Sequence, residues 1–118
     1  PYVQYTHARA CSILRKAARE PEKPAFELLT EKLERELILN LAGFPDMFIE
    51  ATEYHKPNMI ADYTNALADK FNTFYNAYPV IKADSQELSD ARITLTQAIK
   101  NVMHNALNLI GVVAPEKM

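Results

Sequence analysis

The chain has 118 residues, 48% hydrophobic and 24% charged, with a formal net charge of −2; this length fits one domain able to bury roughly two-thirds of its unfolded surface. Two glycines, Gly43 and Gly111, leave no glycine-rich loop to cradle phosphate, and the single cysteine, Cys11, excludes an internal disulfide and fits a reducing, cytoplasmic compartment. No apolar run approaches the roughly 20 residues that span a bilayer, and Arg9, Arg15 and Lys16 interrupt the opening stretch as no signal peptide would.

The first helix is expected from about Tyr2 to Arg19. Val3, His7, Ala10, Cys11, Leu14 and Ala17 share one face, and Tyr2, Tyr5, Arg9, Ser12 and Lys16 share the opposite one. Pro21 and Pro24 end it. The second begins near Thr30 as N-cap, with Glu31 in its first turn and Leu33, Leu37, Ile38 and Leu41 as its stripe. Pro45 restarts a short third helix to about Tyr54, and Pro57 starts the fourth. That fourth helix has the cleanest period: Ile60, Tyr63, Leu67, Phe71, Phe74 and Tyr78 follow steps of 3, 4, 4, 3 and 4 before Pro79 stops it. The fifth opens with Asp84 as cap and Glu87 three residues on, carries Leu88, Leu95, Ile99, Val102, Ala106, Leu109 and Ile110 as its stripe, and closes at Gly111. No segment alternates with period two. The expected fold is therefore all-α, a bundle of five helices with short loops.

Charge is unevenly spread. Residues 1–25 carry Arg9, Arg15, Lys16, Arg19 and Lys23 against Glu20 and Glu22, whereas residues 26–54 carry Lys32 and Arg35 against seven acids. The first helix is a basic edge on an acidic body, and any RNA contact belongs on that edge, moderate in strength and salt-sensitive. Tyr5 and Arg9, at i and i+4, are surface neighbours. They read either as an RNA-stacking pair or as a solvated face with a cation–π contact. Tyr2 and Lys16 share their face. Tyr75 borders the fourth helix's core stripe with Asn72 and Asn76 alongside, as a base-stacking ring or a half-buried core tyrosine. Tyr78, nearer the stripe's centre, belongs to the core.

Other polar residues read as structural. His7, on the apolar face, is a core histidine, and Cys11 a small buried hydrophobe. His7, His55 and His104 have no metal-ligand spacing with one another or with Cys11. Glu31, Glu34, Glu50 and Glu53 fall in an acidic run expected to be solvated. Arg92, close to an apolar stripe, is expected to pair with a carboxylate or to snorkel.

Three stretches carry a family resemblance. Residues 1–17, PYVQYTHARACSILRKA, residues 71–84, FNTFYNAYPVIKAD, and residues 107–118, LNLIGVVAPEKM, occur in order across essentially the whole chain. Together they resemble the C-terminal, DALR-type anticodon-binding domain of arginyl-tRNA synthetases. The stretch corresponding to the motif that gives the type its name is Asp90-Ala91-Arg92-Ile93, which keeps the Asp-Ala-Arg core but departs from the namesake order. The resemblance implies that residues 1–118 are a single anticodon-binding domain, a fragment of a larger class I enzyme that attaches arginine to its tRNA using ATP. The catalytic signature motifs of such an enzyme are absent, so this fragment alone is not expected to be catalytic; a chain opening on Pro1 rather than methionine reads the same way. The expected partners are tRNA(Arg) and the catalytic domain of the same enzyme, with no metal, no membrane and no cofactor in this domain.

By resemblance, Tyr5 and Arg9 stand where the family places anticodon-loop contacts, and Met118 would be the true C-terminus. Its thioether can pack on a base and its carboxylate accept a hydrogen bond, with Lys117 easing repulsion from phosphate; on the residues alone it is a frayed tail. The middle cytosine of the anticodon is the family's usual determinant. Two other readings stand beside this one. The related domain of a cysteinyl or glycyl synthetase is disfavoured by the Tyr5-to-Arg9 helix and the Pro-Glu-Lys-Met ending. A protein–protein interaction bundle would use Tyr2, Tyr5 and Arg9 as a hot spot.

Overall fold

A computed structural model describes residues 2–22 and 24–110. Among them are five α-helices, α1 (Tyr2–Ala17), α2 (Lys32–Ala42), α3 (Phe44–Glu53), α4 (Pro57–Ala77) and α5 (Gln86–Leu109), one 3-10 turn at Phe26–Leu28, and no strand. The 24-residue α5 is the axis of the bundle. It packs against α1 and α4, which also pack against each other; α2 lies across α4 and α5, and α3 caps the α4 end.

The α4 period does what its spacing implies. Ile60, Leu67, Phe71 and Phe74 are buried, with Tyr63 and Tyr78 at the edge of the core. The Phe71 and Phe74 rings lie 6.2 Å apart, centroid to centroid, and meet Ala10 and Ile13 of α1, Leu37 of α2 and Ile93, Ile99 and Met103 of α5 in one cluster. The buried arc of α1 is wider than its apolar stripe. Thr6, Ala8 and Ile13 join His7, Ala10 and Cys11 inside, while Val3, Leu14 and Ala17 are only partly covered. The cause is that α1 is covered from two sides, by α4 and by α5.

Several boundaries and faces differ from expectation. The first helix ends at Ala17, because Ala18 adopts the left-handed conformation with φ 52° that closes a helix. The α2 cap is Glu31, not Thr30. Glu31 and Glu34 bond reciprocally, the Glu31 N–H donating to Glu34 Oε1 at 3.1 Å. A cap at Thr30 would put Leu33 in the third position, and an apolar side chain cannot reach back to the cap. The α5 cap is Ser85, one residue beyond Asp84, its hydroxyl accepting from the Leu88 N–H at 3.1 Å. Ile38 and Leu109, expected in apolar stripes, are 39% and 44% exposed; each sits at the margin of a face whose centre, Leu37 or Ala106, is fully covered. Gly111 lies outside the described residues.

Glu34 is the largest correction. Expected in a solvated acidic run, it is completely buried. Its Oε2 accepts from Arg92 Nε at 2.7 Å, so the carboxylate serves both a helix start and an internal ion pair. Arg92 thus finds the carboxylate partner expected of it, and lies 5.2 Å from the centre of the Tyr78 ring.

Candidate nucleic-acid interface

The outward face of α1 and the last turns of α4 lie side by side, and Arg9 stands between them. Its guanidinium carbon is 4.6 Å from the Tyr75 ring centroid and 5.3 Å from that of Tyr5. Nη1 donates to Asn72 Oδ1 at 2.8 Å, and Nη2 lies 3.5 Å from the Tyr5 hydroxyl. The Asn72 amide is used from both ends, because its Nδ2 donates to the Tyr2 hydroxyl at 2.9 Å and to Thr6 Oγ1 at 2.8 Å. Residues far apart in the chain are thereby locked into one constellation. Each cation–π contact at such a site is worth about 0.5–1 kcal/mol. Their joint effect is to fix the plane of a side chain that otherwise sweeps through many rotamers.

The rings remain open to solvent: Tyr2 and Tyr5 are 46% exposed and Tyr75 39%. Beside them lies a pocket of about 620 Å³. Its walls are Tyr5, Arg9, Ser12, Arg15 and Lys16 from α1, Tyr75 from α4, and Pro79, Val80, Ile81 and Lys82 from the α4–α5 connection. Four of these carry positive charge, and no carboxylate lines the pocket among the described residues. In a chain of net charge −2, this is a local concentration of positive potential on an apolar floor.

Most of the residues singled out from sequence therefore meet. Tyr5, Arg9 and Tyr75 form a single stack, Asn72 and Tyr2 brace it, and Lys16 lines the same pocket. Asn76 is exposed one turn along α4 from Asn72, outside the pocket wall. Met118 and Lys117 lie outside the described residues. The wall from Pro79 to Lys82 is not among the residues that sequence reasoning singles out. Its one signal is the cation Lys82, three residues after a helix-stopping proline. Arg19 belongs elsewhere than the basic edge: its Nη2 donates to Asp90 Oδ1 at 2.9 Å and to Ser89 Oγ at 2.9 Å.

His7 is buried, with Cys11 Sγ 3.8 Å from its Nδ1 and the His104 ring 5.9 Å away. Among the described residues no group of three or more His, Cys, Asp or Glu side chains is arranged to hold a metal ion, and no helix is long and apolar enough to cross a membrane. Aromatic and guanidinium planes beside a cationic, carboxylate-free pocket suit unstacked bases on a phosphate chain: rings and Arg9 give stacking surfaces, and the cations attract phosphate.

Comparison with known proteins agrees. Residues 3–118 match the family model of the DALR anticodon binding domain. The chain is 47% identical over 124 residues to the arginine–tRNA ligase of Pyrococcus abyssi, covering all of this chain and 19% of that protein. It is 41% identical over 121 residues to the arginine–tRNA ligase of Bacillus subtilis, covering 99% of this chain and 22% of that one. Among solved structures, Thermus thermophilus arginyl-tRNA synthetase superposes with a TM-score of 0.92 at 39% identity, covering the whole of this chain and 21% of the other. The chain thus spans about a fifth of the length of the relatives it matches.

Proposed function

This chain belongs to the DALR anticodon binding domain family, and on that premise we propose that it reads the anticodon loop of an arginine tRNA as part of a cytoplasmic arginine–tRNA ligase. The ATP-dependent attachment of arginine is then the work of a catalytic domain outside this chain, and this domain needs no cofactor of its own. The observation that carries the reading is the Tyr5–Arg9–Tyr75 stack at the mouth of a pocket ringed by cations.

In this reading Tyr5, Arg9 and Tyr75 take unstacked anticodon bases, each base–aromatic stack contributing about 1–3 kcal/mol. Arg9 has donors to spare beyond those used on Asn72 and Tyr5, and these face a base edge or a phosphate. Asn72 and Tyr2 hold Arg9 in place, Lys16 draws in the backbone, and Asn76 adds an exposed amide one turn further along α4. Met118 completes the set, its thioether packing on a base and its carboxylate accepting from an exocyclic amine. Base discrimination comes from polar edges, and salt-dependent affinity from phosphate.

The test is a titration with an arginine-tRNA anticodon stem-loop and with a loop altered at the middle anticodon base, each at low and physiological salt. The expected result is salt-sensitive binding that prefers the unaltered loop and falls in Tyr5→Ala and Arg9→Ala. Equal affinity for the two loops would remove anticodon reading from the chain. A folded domain without affinity at either salt would reassign the tyrosine–arginine patch to a protein partner, a role for which the same residue types are also suited.

A further inference from the structure

The α4–α5 connection that forms one wall of the pocket is neither helix nor strand, so its shape depends on what grips it. Val80 anchors it by burial in the core. The carbonyls on either side are taken by two different side chains of α5. Arg92, held through Nε by the buried Glu34, donates from Nη1 to the Pro79 carbonyl at 2.8 Å. Ser89 donates to the Ile81 carbonyl at 3.1 Å, and its hydroxyl in turn accepts from Arg19, which is clamped on Asp90. Asp90 and Arg92 are both buried and line no part of the pocket.

We propose that the Ser89–Arg92 segment of α5 is a positioning device for RNA recognition: it fixes the carbonyls of Pro79 and Ile81, and with them sets Lys82 and the wall facing the bases. This rests on the anticodon-binding reading above. The two ties begin on different elements, one at the start of α2 and the other just past the end of α1, and end two residues apart on the same strip of backbone. A tie that merely joined helices would be expected to end on helices. The Arg92 bond to Pro79 is charge-assisted, and the neutral Ser89 bond to Ile81 is backed by the charged Arg19 that donates to the same hydroxyl, a network that holds geometry firmly. Sites of this sort lose function when the supporting shell loosens by about 1 Å.

The experiment uses Ser89→Ala, which deletes one carbonyl tie, and Arg92→Lys, which keeps the charge beside Glu34 but cannot reproduce the forked reach to Pro79. Two readouts are taken on each: backbone amide order parameters at residues 80–83 relative to the α4 core, and affinity for the arginine-tRNA anticodon stem-loop. A variant still about 99% folded loses only ~1% of its apparent affinity through instability, so a larger loss reports geometry. The expected result is order parameters at residues 80–83 falling toward about 0.6 while those of the α4 core stay near about 0.85, with binding weakened about three- to tenfold. Unchanged local order in a folded variant overturns the proposal, and so does a loosened connection with wild-type affinity. If Arg92→Lys fails to fold, Ser89→Ala decides alone. Absence of binding by the wild-type chain sinks the anticodon reading, and is distinguished from failure of the tie by the order-parameter measurement, which needs no RNA.

Discussion

Arg9 is the centre of the proposed recognition site because a guanidinium has a plane as well as a charge. Two tyrosine rings and Asn72 fix that plane, and an ammonium at the same place would keep the charge while losing the stack and the fork. Arg9→Lys is therefore expected to weaken stem-loop binding about tenfold while leaving the salt dependence nearly unchanged, which titrations at several salt concentrations will show. A second residue-scale prediction concerns Tyr63, whose hydroxyl donates to the Asn40 carbonyl at 2.6 Å. Burial pushes its pKa up to about 12 from the ordinary value of 10.0. The neutral form is the one the fold favours. Its contribution is whole below about pH 10, where the unfolded tyrosine is also protonated, and is lost as pH climbs through about 12. Urea midpoints of wild type and Tyr63→Phe should differ most near about pH 8, with the gap closing between about pH 10 and 12. Tyr78, raised by burial and then by the Glu31 carboxylate, titrates in the same direction in both proteins, so the difference isolates Tyr63.

At the scale of elements, local signals and tertiary ones separate cleanly. Pro57 and Pro79, with the spacing from Ile60 to Tyr78, are enough to place α4 closely, because they act through covalent geometry and helical period alone. The caps of α2 and α5 each lie one residue beyond expectation, since competing acceptors sit side by side at Thr30 and Glu31 and at Asp84 and Ser85. At α2 the choice rests on which of them has a carboxylate three positions further along to reach back to it. Glu34 reads as solvated from sequence for a different reason. Its partner Arg92 is 58 residues away, and nothing local marks a carboxylate that will be buried by pairing. The end of α1 offers a test. Ala18 sits at φ 52°, a conformation that costs an L-residue roughly 1 kcal/mol and glycine almost nothing. Ala18→Gly should raise stability by up to about 1 kcal/mol, partly offset by unfolded-state entropy, as read from denaturant midpoints; a loss of stability would mean that the methyl group makes a contact outweighing the strain.

For the whole molecule, the legible part of the site is the part on helices. Tyr5 and Arg9 share a face by spacing, and Tyr75 with Asn72 borders the core stripe of α4; their meeting comes from α1 packing on α4, which periodicity does not specify. The pocket wall from Pro79 to Lys82 belongs to an irregular connection, held by the burial of Val80 and by bonds from Arg92 and Ser89 of α5 that no local pattern announces. Electrostatics acts at this largest scale. The chain is net acidic, so the proposed binding of RNA rests on the cations gathered around one pocket and not on overall charge. With about three phosphates engaged on a single strand, the logarithm of affinity should fall with the logarithm of salt at a slope of about −2. Lys82→Ala should lessen that slope by about 0.7 and weaken the cognate and altered loops equally, as expected of a phosphate contact.

The most direct test of the proposed RNA-binding face is a stem-loop titration of the isotopically labelled protein, read out by amide chemical shifts. The account predicts that the perturbed residues cluster on Tyr5, Arg9, Asn72, Tyr75 and the connection from Val80 to Lys82, and that a loop altered at its middle anticodon base perturbs them less at equal concentration. Shifts concentrated instead around the exposed Leu39 of α2 and Ile49 of α3, with the Tyr5–Arg9–Tyr75 constellation silent, would contradict it.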